Sequence, residues 1–403
     1  MPSKYTTEFI SPIFGDLANP AVTLLEKWTL AGDDYNRSTE KPLIAAQNDL
    51  EAVLVFLNEF RDSPATLRVY AKELERLFLW CKIVPQLSIA SLRREQLLAY
   101  QQFLQKPIPK KRWCGTKVPR LLFDGAINPD WRVFYKPLSD VSTHKALTII
   151  DSFFTYLVQS HYFLGNPMAM GRRRKKRKKP AANIIDRYLE FDEIHAVLEA
   201  LKDYPSKSDD DNFRVARAAY IILLLFYTGL RISEASGHKM GNFLQRENEW
   251  FLRVSGKGKK VREIPIPDAL LDALAAFRKT VGLLSPVPKY REQTPLIPMQ
   301  NLTTPISTRR VTQILKWAFG LGAVQFEHDA PHKASKLKAA SAHWLRHSYV
   351  TYLLEAGASL KVTQENAGHS NVATTMHYQH VAQINRHEQT RLLSLTPTIK
   401  DNY

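Results

Sequence analysis

The segment YTGLRISEA, residues 227–235, follows a continuous apolar stretch and places Arg231 directly after a Thr-Gly pair. The apolar stretch, residues 218–225, predicts a buried helix, and Gly229 is of the residue type that ends helices. Where the chain turns after a buried helix, a long side chain can project into a cleft. A guanidinium keeps its charge, and its forked donors match two phosphate oxygens. The segment therefore predicts a phosphate-binding arginine at the end of a core helix.

Three segments further along the chain carry residues suited to phosphate chemistry. They are GKGKK at 256–260, HWLRHSYVT at 343–351 and AGHSNVATTMHYQHV at 367–381. Cleavage of a phosphodiester without a metal needs a nucleophile, positive charge on the phosphate, a base and an acid. These segments supply all four, and no cluster of Asp and Glu suited to magnesium stands out in the sequence. The combination favours metal-independent cleavage over a metal nuclease.

The spacing inside these segments groups the residues further. His343 and Arg346 are three positions apart, so on a helix they share one face. His369 lies nine positions before Tyr378 and follows Gly368, which indicates a helix end. These spacings predict one site built from several segments.

In order and separation, the four segments resemble the tyrosine recombinase, or phage integrase, family. That family has a TGLRxSE motif, a GKGxK hairpin, an HxxR helix and a GH box nine residues before its nucleophilic tyrosine. The resemblance covers residues 185 to about 385 and extends more weakly to residues 45–167. It implies a site-specific DNA recombinase that cleaves and rejoins strands through a 3′-phosphotyrosyl intermediate and a Holliday junction.

The resemblance also implies roles for the residues that would hold the scissile phosphate. Arg231 and Arg346 would bind its non-bridging oxygens. His369 would hydrogen-bond a phosphate oxygen. Glu234 would support the site by orienting the chain around it.

The remaining roles concern proton transfer and the covalent bond. Lys257 would be the general acid for the departing 5′ hydroxyl. His343 would act as the base toward Tyr378 and help hold the phosphate. Tyr378 would be the nucleophile that forms the phosphotyrosyl bond.

Plainer interpretations exist for the same residue types. Arg231 could be a surface partner of Glu234, and the lysines of the GKGKK turn could simply be solvated. Asn366 stands where the family usually has an apolar residue, which puts the local packing in doubt. Neighbouring residues are expected to serve structure or DNA contact: Lys259 and Lys260 as DNA-binding side chains, His347 and His377 as structural or DNA-facing, and Tyr349 and Tyr352 as core aromatics.

The charge of the chain points to a polyanion as partner. The net charge is +17, and removing the eight basic residues at 172–179 still leaves +9. That run is either a solvated linker, a nuclear localisation signal or a strap across a phosphate backbone. The DNA-binding candidates in it are Arg172, Arg173, Arg174, Lys175, Lys176, Arg177, Lys178 and Lys179.

Two cysteines, Cys81 and Cys114, lack metal-ligand spacing and make a disulfide framework unexpected. The N-terminal residues lack a signal-peptide pattern, and the longest apolar stretch is too short to span a bilayer. The sequence therefore predicts a cytoplasmic protein that is nucleoid-associated when bound to DNA. We expect no cofactor, no metal and no membrane partner.

The predicted fold is mainly α with a small antiparallel β-sheet. It combines a helical core-binding (SAM-like) domain with an α+β tyrosine-recombinase catalytic domain. Helices are expected at about 43–60, from Ser63-Pro64, at about 91–104 and from Ser142, and Pro265 and Pro267 predict an edge strand. The expected parts are an N-terminal extension of unknown role (1–42), the core-binding domain (43–170, with an insertion at about 106–140), a basic linker (171–182), the catalytic domain with its C-terminal segment (183–395) and a tail (396–403).

Partners and alternatives complete the prediction. The resemblance implies double-stranded DNA sites, a homotetramer on DNA and, as further candidates, accessory DNA-bending proteins. The long extension and insertion favour integration, excision or transposition of a mobile element over a housekeeping role. A type IB topoisomerase-like enzyme and a catalytically inert architectural DNA-binding protein remain the alternatives.

Overall fold

The computed structural model describes residues 10–20, 35–170, 187–256 and 260–368. The chain divides into two compact units, Met1–Lys178 and Lys179–Tyr403, called here the N-terminal and C-terminal units. Each unit has its own hydrophobic core. Within the described segments, no helix combines the length and apolar character needed to cross a membrane.

The described part of the N-terminal unit is helical. Its elements are α1 (Asp49–Asn58), α2 (Pro64–Ile83), α3 (Arg94–Gln105), the single-turn α4 (Lys110–Trp113) and α5 (Asp140–Gln159), with a 3-10 turn at Ile89–Ser91.

Helix starts differ from the sequence predictions by a few residues because of capping. The α1 helix begins after Asn48, whose side chain accepts from two backbone N–H groups of the first turn, so residues 43–48 stay outside it. The α5 helix begins after Ser139, not at Ser142, because the Ser139 hydroxyl accepts the backbone N–H of Ser142. The prediction of Pro64 in the first turn of α2 is confirmed.

The insertion at 106–140 is irregular apart from α4, yet it belongs to the core of the N-terminal unit. Trp113 and Phe134 are almost fully buried, and Trp131 is buried beside them. The Trp113 ring packs edge-on against Phe103 of α3, with centroids 4.7 Å apart. Burial of three large aromatic side chains fixes the insertion to the helices.

The described part of the C-terminal unit has eight helices and one small sheet. The helices are α6 (Phe191–Lys202), α7 (Asp209–Thr228), α8 (Ile232–Gly237), α9 (Asp268–Thr280), α10 (Thr308–Val324), α11 (Pro331–Ala339), α12 (Ala342–Glu355) and α13 (Leu360–Ala367). The central helix is α7, which packs against α6, α9, α10 and α12.

The sheet is antiparallel in the order β1-β2-β3, with β1 at Phe243–Arg246, β2 at Glu249–Ser255 and β3 at Val261–Ile266. Phe251 pairs with Pro265, and β3 lies at the edge, as the prolines predict. The first strand was not predicted, because four residues are too few to show an alternating pattern. Helices and sheet together confirm the predicted fold class.

Candidate active site

The turn after α7 presents Arg231. Gly229 caps α7 with φ of 59°, a left-handed conformation that glycine adopts without strain. A methyl group on Gly229 would lie 2.3 Å from a ring carbon of Tyr349, so both backbone and packing require glycine there. Arg231 then occupies the N-cap of α8, and its side chain is 42% exposed. The turn at the end of α7 thus places the Arg231 guanidinium at the protein surface.

Glu234, in the first turn of α8, binds two arginine side chains. Its buried carboxylate accepts from the Arg231 backbone N–H at 3.0 Å and from Nη1 of Arg231 at 3.2 Å. Nη1 and Nη2 of Arg262 donate to its two oxygens at 3.2 and 2.9 Å. Burial by itself would raise the pKa of Glu234, but the hydrogen bonds from Arg262 and the Arg231 backbone hold it below its ordinary value. Glu234 is therefore a carboxylate that orients both arginines.

The same two arginines reach the end of α13. Nε of Arg262 donates to the carbonyl oxygen of Asn366 at 2.9 Å, and Nη2 of Arg231 donates to that of Gly368 at 3.1 Å. Gly368 caps α13 with φ of 63°. A methyl group there would lie 2.8 Å from Nη1 of Arg262. The end of α13 is therefore fitted closely against the arginine pair.

Arg346 of α12 is buried, with 2% of its surface exposed. Its Nη1 and Nη2 donate to the carbonyl oxygens of Gly229 and Ala367, which orient the guanidinium between the ends of α7 and α13. Burial and, next, the charge of Arg231 lower the pKa of Arg346 to about 9, so the group is still charged at neutral pH. These bonds use two of its five N–H groups.

His343 lies one helical turn before Arg346 on α12, as the spacing predicts. Partial burial and, next, the positive charges of Arg346 and Arg231 lower the pKa of His343 below 6.5. The imidazole is therefore neutral at pH 7 and can accept a proton. The ring of His347 packs edge-on against it with centroids 4.3 Å apart.

Several predicted site residues lie outside the described residues: Lys257, Lys259, His369, Tyr378 and the basic run at 172–179. Two of them directly follow residues of the arginine network. His369 follows Gly368, and Lys257 follows Gly256. A methyl group on Gly256 would lie 3.3 Å from both Oε1 of Glu234 and Nη1 of Arg262. Lys260 is exposed, and its carbonyl oxygen accepts from the Gly256 N–H at 2.9 Å.

Sequence reasoning missed two residues that assemble the site, Arg262 and His238. Nδ1 of His238 lies 2.7 Å from the Glu234 carbonyl oxygen, and the Ser255 N–H donates to its Nε2 at 2.8 Å. His238 thereby joins the end of α8 to β2. The signal for Arg262 was its place two residues after Lys260, on the strand that follows the GKGKK turn.

Asn366, which departs from the family pattern, contacts the arginine network through its backbone. Its backbone carbonyl oxygen accepts from Nε of Arg262 at 2.9 Å. Burial raises the pKa of Tyr349 above its ordinary value. Tyr349 and Tyr352 are partly buried rather than full core residues.

Within the described segments, no group of three or more His, Cys, Asp or Glu side chains is placed to hold a metal ion. The positive charge here comes from Arg231 and Arg262, which contact the buried Glu234 carboxylate, and from Arg346, which binds backbone carbonyl groups of Gly229 and Ala367. Such a site can bind an anion and stabilise negative charge that develops on it.

Sequence comparisons identify relatives over most of the chain. The model of the phage integrase family matches residues 187–384. The tyrosine recombinase XerC of Thermodesulfovibrio yellowstonii is 28% identical over 332 residues, which cover 81% of this chain and 90% of that protein. The tyrosine recombinase XerD of Caulobacter vibrioides is 30% identical over 246 residues, 61% of this chain and 72% of that protein.

Solved structures share the fold. The XerH site-specific recombinase bound to a palindromic difH substrate, in a post-cleavage complex, matches with a TM-score of 0.56 and 17% identity over 86% of this chain and 85% of that one. The Tn1549 transposon integrase in complex with transposon right end DNA also matches with a TM-score of 0.56, at 16% identity, over 85% of this chain and 99% of that one.

Proposed function

This chain belongs to the phage integrase family of tyrosine recombinases, enzymes that cleave and rejoin DNA at specific sites, and we propose that its own chemistry runs through Tyr378. The Tyr378 hydroxyl attacks the scissile phosphate, a 3′-phosphotyrosyl bond forms and a 5′ hydroxyl leaves. The reverse attack by a 5′ hydroxyl from a second duplex reseals the strand. Two such exchanges pass through a Holliday junction.

Arg231 and Arg346 hold the phosphate in this proposal. Arg231 is fixed by Glu234 and still 42% exposed, so donors remain for a ligand. Arg346 is oriented by two backbone carbonyl groups and is charged at neutral pH. Because both groups are held before DNA arrives, they stabilise the pentacoordinate phosphorane without reorganisation. His369 adds a hydrogen bond to a phosphate oxygen.

Proton transfers fall to His343 and Lys257. A neutral His343 accepts the Tyr378 proton, and its lowered pKa supports that role at pH 7. Lys257 donates a proton to the departing 5′ oxygen. Each proton that one step moves is returned in the resealing step, so His343, Lys257 and Tyr378 regain their starting protonation states.

The observation that carries this assignment is the arginine network around Glu234. It joins Arg231 and Arg262 to the backbone at Asn366 and Gly368, directly before His369. Arg346 binds the backbone at Ala367 in the same segment. The ends of α7 and α13, 137 positions apart at Arg231 and Gly368, are thus held together around one anion site.

DNA binding and assembly extend the proposal. Double-stranded recombination sites are the substrate, and a homotetramer on DNA carries out the exchange. The basic residues at 172–179, together with Lys259 and Lys260, bind the phosphate backbone, so affinity falls steeply with salt. The N-terminal extension and the insertion favour movement of a mobile element over a housekeeping role, with accessory DNA-bending proteins as further partners.

The test traps the covalent intermediate. The full chain is incubated in chelator with nicked suicide duplexes taken from DNA flanking its gene, and DNA-linked protein is separated on a denaturing gel. We expect a covalent band with the wild-type chain and with the control Tyr290→Phe, whose ring is exposed and which belongs to none of the four motifs. Tyr378→Phe should bind the same DNA and give no band.

Two results would contradict the proposal. A band that persists in Tyr378→Phe would assign the nucleophile to another residue. Tight binding of the wild-type chain to the same duplexes without any band would favour an inert DNA-binding protein.

A further inference from the structure

The insertion of the N-terminal unit contains a hairpin with a fixed tip at residues 122–126. The backbone N–H of Leu122 donates to the carbonyl oxygen of Ala126 at 2.7 Å, and that of Gly125 donates back to Leu122 at 3.0 Å. Gly125 has φ of 81°, and the Asp124 carboxylate accepts the Ala126 N–H at 2.9 Å. These bonds give the tip one defined conformation.

The base of the hairpin is anchored in the core. Nη1 and Nη2 of Arg120 donate to the buried carboxylate of Glu75 on α2 at 2.8 and 2.7 Å. The Arg120 guanidinium also lies 5.0 Å from the Trp131 ring centroid, and the Asn128 N–H donates to the Arg120 carbonyl oxygen at 2.9 Å. The hairpin is therefore a rigid projection from the helical core.

The tip of this rigid projection is apolar. Phe123 is fully exposed, and among the described residues it is the most exposed large hydrophobic side chain. Leu122 beside it is 45% exposed. Single exposed apolar residues are common on protein surfaces. A phenyl ring that a hydrogen-bonded turn holds exposed, however, is placed to insert into a binding partner.

The charge of the insertion that carries the hairpin favours a polyanion as the partner. Residues 106–139 contain eight basic and two acidic residues, a net charge of +6. Lys110, Lys111, Lys117 and Lys136 are exposed, and Nζ of Lys117 lies 5.9 Å from the ring centroid of exposed Tyr135. Exposed lysines favour a polyanion, and aromatic rings stack on bases.

We propose that Phe123 is an intercalating wedge that inserts between base pairs of duplex DNA and bends it, while the exposed lysines of the insertion bind phosphates of the same duplex. An apolar side chain that enters a base step partly unstacks it and kinks the duplex. The resulting bend lets the duplex contact more of the basic insertion. The proposal deepens the proposed function and rests on it, since the chain must bind duplex DNA.

The experiment measures DNA bending separately from cleavage. End-labelled duplexes from DNA flanking the gene are bound by the full chain in a Tyr378→Phe background, and bending is read by energy transfer between the ends. We expect Phe123→Ala to reduce the bend and weaken binding about 10-fold, the scale of one lost base–aromatic contact. Because Phe123→Ala removes no charge, the salt dependence of binding should stay unchanged.

Two variants sharpen the result. Phe123→Leu keeps an apolar wedge and should retain most of the bend. Leu284→Ala removes another fully exposed apolar side chain, from the C-terminal unit, and should change neither bend nor affinity. Because both side chains are exposed, all variants should melt at the wild-type temperature.

A bend that is unchanged in Phe123→Ala overturns the wedge, and the proposed function stands if the wild-type chain still forms the phosphotyrosyl band. Failure of the wild-type chain to bind the duplexes overturns both. Phe123-dependent sedimentation with phosphatidylserine vesicles, without a Phe123 effect on DNA, also overturns the wedge and assigns the hairpin to a membrane surface.

Discussion

Each unit contains a buried glutamate that binds arginine side chains, Glu75 in the N-terminal unit and Glu234 in the C-terminal unit. The two clusters differ in whether an arginine remains exposed to a ligand. Glu75 accepts two bonds from Arg120 and the backbone N–H groups of Ile13 and Phe14. Glu234 accepts from Arg231 and Arg262. Both are carboxylates buried with arginine partners, the type of cluster that breaks at high cost.

The difference lies in the exposure of the arginines. Arg120 is 17% exposed and donates to Glu75 and to the Phe14 carbonyl oxygen, so its donors serve the fold and tie residues 13–14 to α2. Arg231 is 42% exposed beside an equally buried carboxylate. Glu234 thus holds one covered arginine, Arg262, and one exposed arginine, Arg231, whereas the arginine that Glu75 holds is covered. We expect the exposed arginine to serve a ligand and the covered ones to stabilise the fold.

The largest expected effect is on Arg231. Arg231→Ala should lower the rate of phosphotyrosyl formation by about 100- to 1000-fold, the usual loss for one preorganised donor to a developing anion. Its melting temperature should stay near wild type, because Arg262 and the backbone N–H of residue 231 would still bind the Glu234 carboxylate. Single-turnover cleavage of suicide DNA and thermal melting measure the two quantities. Equal losses of stability in Arg231→Ala and Arg120→Ala would erase the distinction between the clusters.

Glu75→Gln should have the opposite profile. Removal of the buried charge leaves Arg120 without its carboxylate, at a cost of about 3 kcal/mol. For a unit of this size that lowers the melting temperature by roughly 6–12 °C. Cleavage per folded molecule, measured well below the transition, should match wild type. A cleavage defect without a stability defect would place Glu75 in the site instead.

Arg262→Lys tests the positioning role within the Glu234 cluster. Lysine keeps the charge but cannot contact both carboxylate oxygens and the Asn366 carbonyl oxygen together. We expect cleavage by bound enzyme to fall about 10- to 100-fold, as for other orienting residues. Affinity for DNA and melting temperature should change little.

The matched control is Arg253→Lys on β2, where the exposed guanidinium pairs with Glu263. It should leave cleavage within about 2-fold of wild type. An equal loss in both variants would mean that the Arg262 effect is general to the sheet.

The smallest effect concerns pH. His343 is protonated below its pKa and neutral above it, and that pKa lies below 6.5. Cleavage at limiting DNA, which reports the free enzyme, should therefore rise with pH and reach its plateau with a midpoint below 6.5. His343→Gln should cleave more slowly, and its rate should not show this rise with pH. A midpoint above 6.5, or a rise with pH that survives the substitution, would remove His343 as the base.

Prediction from sequence succeeded where local pattern determines conformation. The apolar stretch before Thr228, the proline at the start of α2 and the alternation in β2 predicted helix, helix start and strand. Short elements were not predicted from the sequence, and β1, with four residues, is the example. Two helix starts shifted to a capping side chain: Asn48 caps α1 five residues after the predicted start at 43, and Ser139 caps α5 three residues before Ser142.

The sequence by itself determined the family and the helical spacing of His343 and Arg346, because motif and periodicity are local properties. It also predicted Arg231 and Arg346 as the arginines of the site. Only the tertiary structure decided how these segments meet. Arg262 contacts Glu234 and Asn366, 28 and 104 positions away, and Arg231 contacts Gly368, 137 positions away. No periodicity encodes such contacts. They form because packing of α7, α12 and α13 buries the Glu234 carboxylate and the backbone carbonyl groups at helix ends that have no partner within the helix. Buried polar groups of this kind need hydrogen-bond partners.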